Sequence, residues 1–338
     1  MARKAKYDWG KSRDGRYQKF ETRISTKLTA SAGGEPYADS GYIDVAQCLS
    51  MINRKLVRQG QVFKVKNMKL YSKDESPVTT AKIGVLPRTW VMFNSYKKAR
   101  ALWLNQAQEA FSSIGEGNFP KYLDFKVLMD EGHILAKNAG SDLLLPMDFD
   151  ENLITMTNVD WDYSSLQSSS TTSDGFYLHM LGRHLAEDGS TFISSTTSTD
   201  SLDSAGVIFS YQESRGISRQ DEDSAGLGQQ VGNVLVRGPF ARTHLWANDQ
   251  MDDVVMTHSD ENDGPPYDAD AYPGAATELK EATTVWTGKI PQKQHASSPM
   301  VPQFEAPLGL IRVEVDGPSA LSAEEVEIHF DTEIIGAI

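Results

Sequence analysis

Residues 41–72, GYIDVAQCLSMINRKLVRQGQVFKVKNMKLYS, carry two periodicities in succession. Val45, Cys48, Leu49, Ile52 and Leu56 recur at three and four positions, the spacing of one apolar stripe on a helix. Asp44 precedes them as an N-cap whose carboxylate accepts from the free N–H groups of the first turn. Arg54, Lys55 and Arg58 suit the negative end of the helix dipole, and Gly60 supplies a stop. From Gln61 the period falls to two. Phe63 and Val65 share one face while Met68 and Leu70 take the opposite parity, which predicts a long strand with a β-bulge near Asn67. The stretch has no catalytic constellation. It is nevertheless basic, with six Lys/Arg from Arg54 to Lys69.

That basicity stands out against the whole chain, which has 338 residues and a net charge of −13. Residues 1–100 hold 21 Lys/Arg and 8 Asp/Glu, whereas residues 101–338 hold 12 and 38. Such a split makes one end attractive to polyanions and the other repellent. The plain alternative is an acidic protein whose basic part is only solvated. Cys48 is the single cysteine, so no disulfide forms within the chain, and its place on the helix stripe makes it a small core residue. No apolar run reaches the ~18 residues of a membrane span, and none follows the charged N-terminus as in a secretory signal.

Outward from this stretch, residues 1–16 read as a basic arm lacking apolar periodicity, followed by one domain over residues 17–338. Phe20, Thr22, Ile24, Thr26 and Leu28 alternate with Lys19, Glu21, Arg23 and Lys27, which predicts a half-buried strand, and residues 31–40 read as a loop. Residues 81–93 predict a strand bent at Pro87. A second helix then starts at Asn94 or Ser95, with Tyr96, Ala99, Trp103, Ala107 and Ala110 as its stripe and Lys97, Lys98 and Arg100 in its first turn. Beyond Pro120, strands are expected at Leu123–Phe125–Val127–Met129, Val159–Trp161–Tyr163, Phe176–Leu178–Met180 and Val207–Phe209–Tyr211, with a short one at 233–237. Ser/Thr-rich loops separate them, and residues 251–302 read as a surface insertion with one strand at 283–289. Strands at 308–315 and 326–334 close the chain. The last has Val326, Ile328, Phe330 and Ile334 inward and Glu325, Glu327, Asp331 and Glu333 outward. The expected fold is all-β, a single jelly-roll sandwich with two short helices and long surface loops.

IDVAQCLSMINRKLVRQGQVFKV, the TWVMFNSYKKARALWLNQAQ helix and the closing PLGLIRVEV and VEIHFDTEI resemble the major capsid proteins of small circular single-stranded DNA viruses, the replication-initiator-encoding kind known from environmental and marine sequencing. The likeness covers roughly residues 40–115 and 305–335. It implies a jelly-roll subunit that assembles into an icosahedral virion shell, as a homo-oligomer around a single-stranded DNA genome. Capsids of this kind often begin with a dense Arg-rich arm, and here Asp8 and Asp14 dilute it.

Arg3, Lys4, Lys6, Lys11, Arg13, Arg16 and Lys19 are the expected nucleic-acid-binding residues, with Tyr7 and Trp9 free to stack on unpaired bases. The alternative is an ordered arm exchanged between subunits. None of the seven histidines (His133, His179, His184, His244, His258, His295, His329) has metal-site spacing, and no nucleophile elbow, phosphate-binding loop or dinucleotide fingerprint occurs. No catalysis and no cofactor are therefore expected. The acidic loop of Asp260, Glu261, Asp263, Asp268 and Asp270 reads as solvated or as a calcium site between subunits. Together with the acidic face of the last strand, it is expected to lie away from a genome. A carbohydrate- or receptor-binding β-sandwich, such as a phage fibre or lectin-like module, is the alternative to a shell; a β-sandwich hydrolase is the third class.

Overall fold

The computed structural model describes residues 21–30, 37–72, 79–114, 123–139, 143–148, 150–154, 161–167, 175–186, 202–215, 282–290, 300–317 and 324–338. Strand β3 (Gln61–Ser72) organises the first sheet. It pairs antiparallel with β13 (Glu324–Ala337), which pairs in turn with β1 (Arg23–Ala30), while β10 (Met300–Val301) and β11 (Phe304–Pro307) share the far edge of β3. The second sheet runs β2 (Tyr37–Asp44), β12 (Leu310–Gly317), β4 (Thr79–Val85), β9 (Thr283–Ile290), again all antiparallel. Alternation along each strand turns Ile24, Leu28, Phe63, Val65, Met68, Leu70, Ile328 and Phe330 of one sheet against Ile43, Ile83, Val313 and Val315 of the other. Each such side chain contributes roughly 1.5–3 kcal/mol by leaving water. The architecture is an all-β sandwich.

The bulge expected near Asn67 is present. His329 faces Lys69 and Asp331 faces Lys66, so Asn67 and Met68 together oppose Phe330. Asn67 has φ 52, a left-handed conformation that Asn tolerates and β-branched residues do not. Asn67→Val is expected to lower stability by about 1–2 kcal/mol, and Asn67→Gly to be near neutral, in urea unfolding.

Helix α1 (Val45–Asn53) is capped as expected, Asp44 Oδ1 accepting from Ala46 N at 3.0 Å and Gln47 N at 3.2 Å. Its end differs. Arg54 adopts the left-handed cap conformation, so Leu56, Lys55 and Arg58 lie beyond the helix and Gly60 is not its stop. Gly60 instead leaves room for Tyr96, whose hydroxyl would lie 2.8 Å from a Cβ there.

The segment between β4 and β9 departs most from the sequence reading. Helix α2 (Trp90–Ile114) is 25 residues long and starts four residues before Asn94, because Thr89 caps it, accepting from Met92 N at 3.3 Å. Residues 90–93 are thus helix rather than strand, and Lys97, Lys98 and Arg100 sit beyond the first turn, where the dipole does not oppose them. Helices α3 (Glu131–Ala139) and α4 (Val207–Arg215) make four among the described residues, not two. Val207, Phe209 and Tyr211 alternate but are helical: Val207, Ile208 and Ser210 are the buried positions, and Ser210 Oγ donates to Gly206 O one turn back.

A third sheet, β5 (Ser165–Gln167), β6 (Gly175–His179), β8 (Leu202–Gly206) and β7 (Leu185–Ala186), contains a parallel pair, β6 with β8. With the helices it encloses a second core around Tyr42, Met92, Tyr96, Phe125, Leu178 and Ile208. Residues 37–40, read as loop, belong to β2. The strand expected from Leu308 starts at Leu310, since Leu308 and Gly309 form a positive-φ turn.

Candidate nucleic-acid interface

Two runs of Lys/Arg, at 54–69 and 97–100, hold most of the described cations of the chain's basic end, and the fold treats them differently. Lys64, Lys66 and Lys69 point outward from β3, beside the outward residues of β13. Lys66 pairs with Glu333, Lys27 with Glu325 at 2.7 Å, and Asn67 donates to Asp331 at 3.1 Å. Glu327 is buried and lies 3.5 Å from His329, whose Nδ1 meets Ser25 Oγ at 2.8 Å. The last strand's carboxylates are therefore interleaved with cations from β1 and β3. The outer face of the first sheet is a charge mosaic, neither a bare acidic face nor a basic one.

Arg54, Lys55, Arg58, Lys97 and Arg100 are exposed. Three of them line a cleft of about 540 Å³ at one end of the first sheet, with Leu56, Tyr96, Asp124 and residues 334–338. Its apolar wall has a local cause. A second register shift lies between Ile334, opposite Phe63, and Gly336, opposite Val62, which leaves Ile335 bulged from the ladder and 51% exposed. Lys97 and Arg100 are one helical turn apart on α2, and the buried Tyr96 and Ala99 fix that helix face against the core.

Asp124 is 7% exposed and accepts from Arg58 Nη1 at 2.8 Å through Oδ1, while Oδ2 has no hydrogen-bond partner among the described residues. The pair is single-point, so the guanidinium keeps further donors for the cleft. Asp124 belongs to an extended segment, 124–130, that is buried throughout. Alternation at Leu123, Phe125, Val127 and Met129 predicts a strand there, yet only Leu128 makes a bridge, parallel to His179, and side chains meet about half of the bonded backbone groups. Gln59 Oε1 accepts from Val127 N at 2.6 Å and Gln59 Nε2 donates to Val127 O at 2.9 Å. Ser164 Oγ accepts from Lys126 N at 3.0 Å, and His133 Nδ1 from Met129 N at 3.1 Å. Buried backbone needs such partners wherever no ladder reaches it.

The expected arm residues Arg3, Lys4, Lys6, Lys11, Arg13, Arg16 and Lys19 lie outside the described residues, as do Tyr7, Trp9, the 233–237 strand, the 260–270 acidic loop, His244, His258 and His295. Cys48 is buried, its thiol directed at Leu144 O at 3.6 Å, and burial pushes its pKa up. A Ser–His contact that sequence reading missed, His179 Nδ1 to Ser204 Oγ at 2.7 Å, is closed to substrate, since both residues are 0% exposed. The ring's Nε2–H donates to Arg183 O at 2.9 Å. Among the described residues no cluster of His, Cys, Asp or Glu could hold a metal ion, and no helix is long and apolar enough to cross a membrane.

The class defined so far is an all-β sandwich bearing a basic, apolar-walled cleft. No family model, curated protein or solved structure matches the chain.

Proposed function

We propose that the chain is a jelly-roll capsid subunit that assembles with copies of itself into an icosahedral virion shell around single-stranded DNA. Strand order carries this reading. With β10 and β11 counted as one sixth strand, the sandwich sheets run 1-8-3-6 and 2-7-4-5 in chain order. Every connection but the fourth-to-fifth crosses between sheets, the winding of two Greek keys expected of a double-sheet jelly roll. Capsid and lectin domains share that architecture, so charge favours one over the other. Basic residues crowd the first hundred positions, and the exposed Arg54, Lys55, Lys97 and Arg100 suit a polyanion better than a neutral sugar. Among the described residues β9 pairs only with β4, leaving a strand edge for a neighbouring copy to cover. The arm at residues 1–19 would meet the genome without sequence preference, and the shell role needs neither cofactor, catalysis nor membrane.

Light scattering of the purified chain in near-physiological salt is expected to give megadalton species, and negative-stain microscopy closed particles of one size. A stable monomer at micromolar concentration overturns the shell and favours a sugar- or receptor-binding module.

A further inference from the structure

We propose that the cleft between α2 and the end of β13 binds a nucleotide unit of single-stranded DNA, Arg58, Lys97 and Arg100 meeting phosphate while Leu56, Ile334 and Ile335 meet the base. This deepens the genome-enclosing reading and rests on it. Its volume of about 540 Å³ falls in the ~300–1,000 Å³ range of sites that enclose a small ligand, which suits a single nucleotide unit rather than a duplex. Three cationic side chains line it against the Asp124 carboxylate, already engaged by Arg58, and the α-carboxylate of Ile338, so the charge facing the ligand stays net positive. Lys97 and Arg100 are exposed and have no acidic partner among the described residues.

A polyanion without bases would use only the cations. The bulge that turns Ile335 outward adds an apolar surface that a base can cover and a bare phosphate chain cannot. Asp124 is a positioning residue: its Oδ1 holds the Arg58 guanidinium, and its own backbone is held from Ser164, whose Oγ donates to Asp124 O at 3.4 Å. The basic arm is a separate binding element, and the salt dependence of variants distinguishes the two.

Fluorescence anisotropy of a thymidine homo-oligonucleotide with the full chain, titrated with salt, tests the cleft. Each phosphate contact adds about 0.7 to the slope of log K against log salt. Lys97→Ala with Arg100→Ala therefore should reduce the slope by about 1.4 and weaken binding about 25-fold at ~0.1 M salt. Both side chains are exposed, so this variant folds even if Arg58→Ala, which strands the Asp124 carboxylate, does not. Ile335→Ser should weaken the oligonucleotide several-fold and leave inorganic polyphosphate unchanged. Unchanged slope and affinity in the double variant overturn the cleft, as does equal loss of polyphosphate and oligonucleotide affinity in Ile335→Ser. Particle formation is read separately by microscopy. Shells that form while the variants bind DNA like the parent reject the cleft and leave the shell reading standing; chains that never assemble reject the shell reading itself.

Discussion

Lowering the pH from about 7 to about 5 is expected to remove about 3 kcal/mol of folding stability, read as a falling urea midpoint. His133 and His179 are both 0% exposed, and burial holds each ring's pKa down at about 3, aided for His179 by the neighbouring His184. The unfolded chain takes up protons on these rings below about pH 6.5 whereas the folded chain does not. A depressed folded pKa means that the stabilisation is complete above the unfolded value and is lost as pH falls. By pH 5 each ring contributes a loss of about 2 kcal/mol. Asp44 opposes this. Burial raises its pKa to about 6, so its ionisation costs stability as pH rises, and acidification relieves about 1 kcal/mol by pH 5. His133 is the less tolerant ring, because Nδ1 accepts from the Met129 N–H, which cannot rotate away from a new proton. Nε2 faces Tyr163 Oη at 3.3 Å, and the ring stacks on Tyr42 at 4.8 Å. His179→Gln should remove about half of the histidine slope. A stability that stays level across this window contradicts the neutral burial of both rings.

These rings also mark where sequence reading stops. Patterns set by near neighbours were legible: the α1 stripe and its Asp44 cap, the parity change at Asn67, the inward residues of β13. Alternation alone misled at Val207, Phe209 and Tyr211, since a short apolar run fits either period until its partners are known. It misled again at 124–130, buried throughout, where pairing is limited to one bridge at Leu128 and Gln59 and Ser164 reach in from 68 and 38 residues away. Such long-range pairs leave no local trace. The cleft was half legible. Arg58, Lys97 and Arg100 stood out as charges, but the Ile335 bulge that walls it and the Asp124 anchor depend on which strands and segments meet. Likewise, the acidic face of the last strand reads as repulsive until its position between β1 and β3 supplies Lys27 and Lys66.

Gln59→Leu is expected to cost about 3–5 kcal/mol, the largest effect of any single polar substitution considered. Gln59 is 0% exposed and joins two elements that no ladder joins. Its Nε2 donates to Asp44 Oδ2 at 3.2 Å as well as to Val127 O, and its Oε1 accepts from Val127 N. Leucine fills a similar volume but strands an N–H, a C=O and one carboxylate oxygen, each worth roughly 1–3 kcal/mol when buried without a partner. Partial relaxation keeps the total below the full sum. The damage should reach the cleft, because residues 124–127 then lose the tie that sets Asp124 beside Arg58. Oligonucleotide affinity should therefore fall even in the fraction that remains folded. Gln59→Glu separates the hydrogen bonds from the shape. It keeps the acceptor for Val127 N, but turns a second carboxylate toward Asp44, with Lys126 the nearby cation that favours ionisation there. Like charges at that distance cannot both ionise in a buried site, so one must hold a proton. The Glu variant should therefore be much less stable than the parent at about pH 8 and recover part of the difference by about pH 5, where a shared proton bridges the pair. Equal losses at both pH values would mean that Asp44 and residue 59 do not meet in the folded chain.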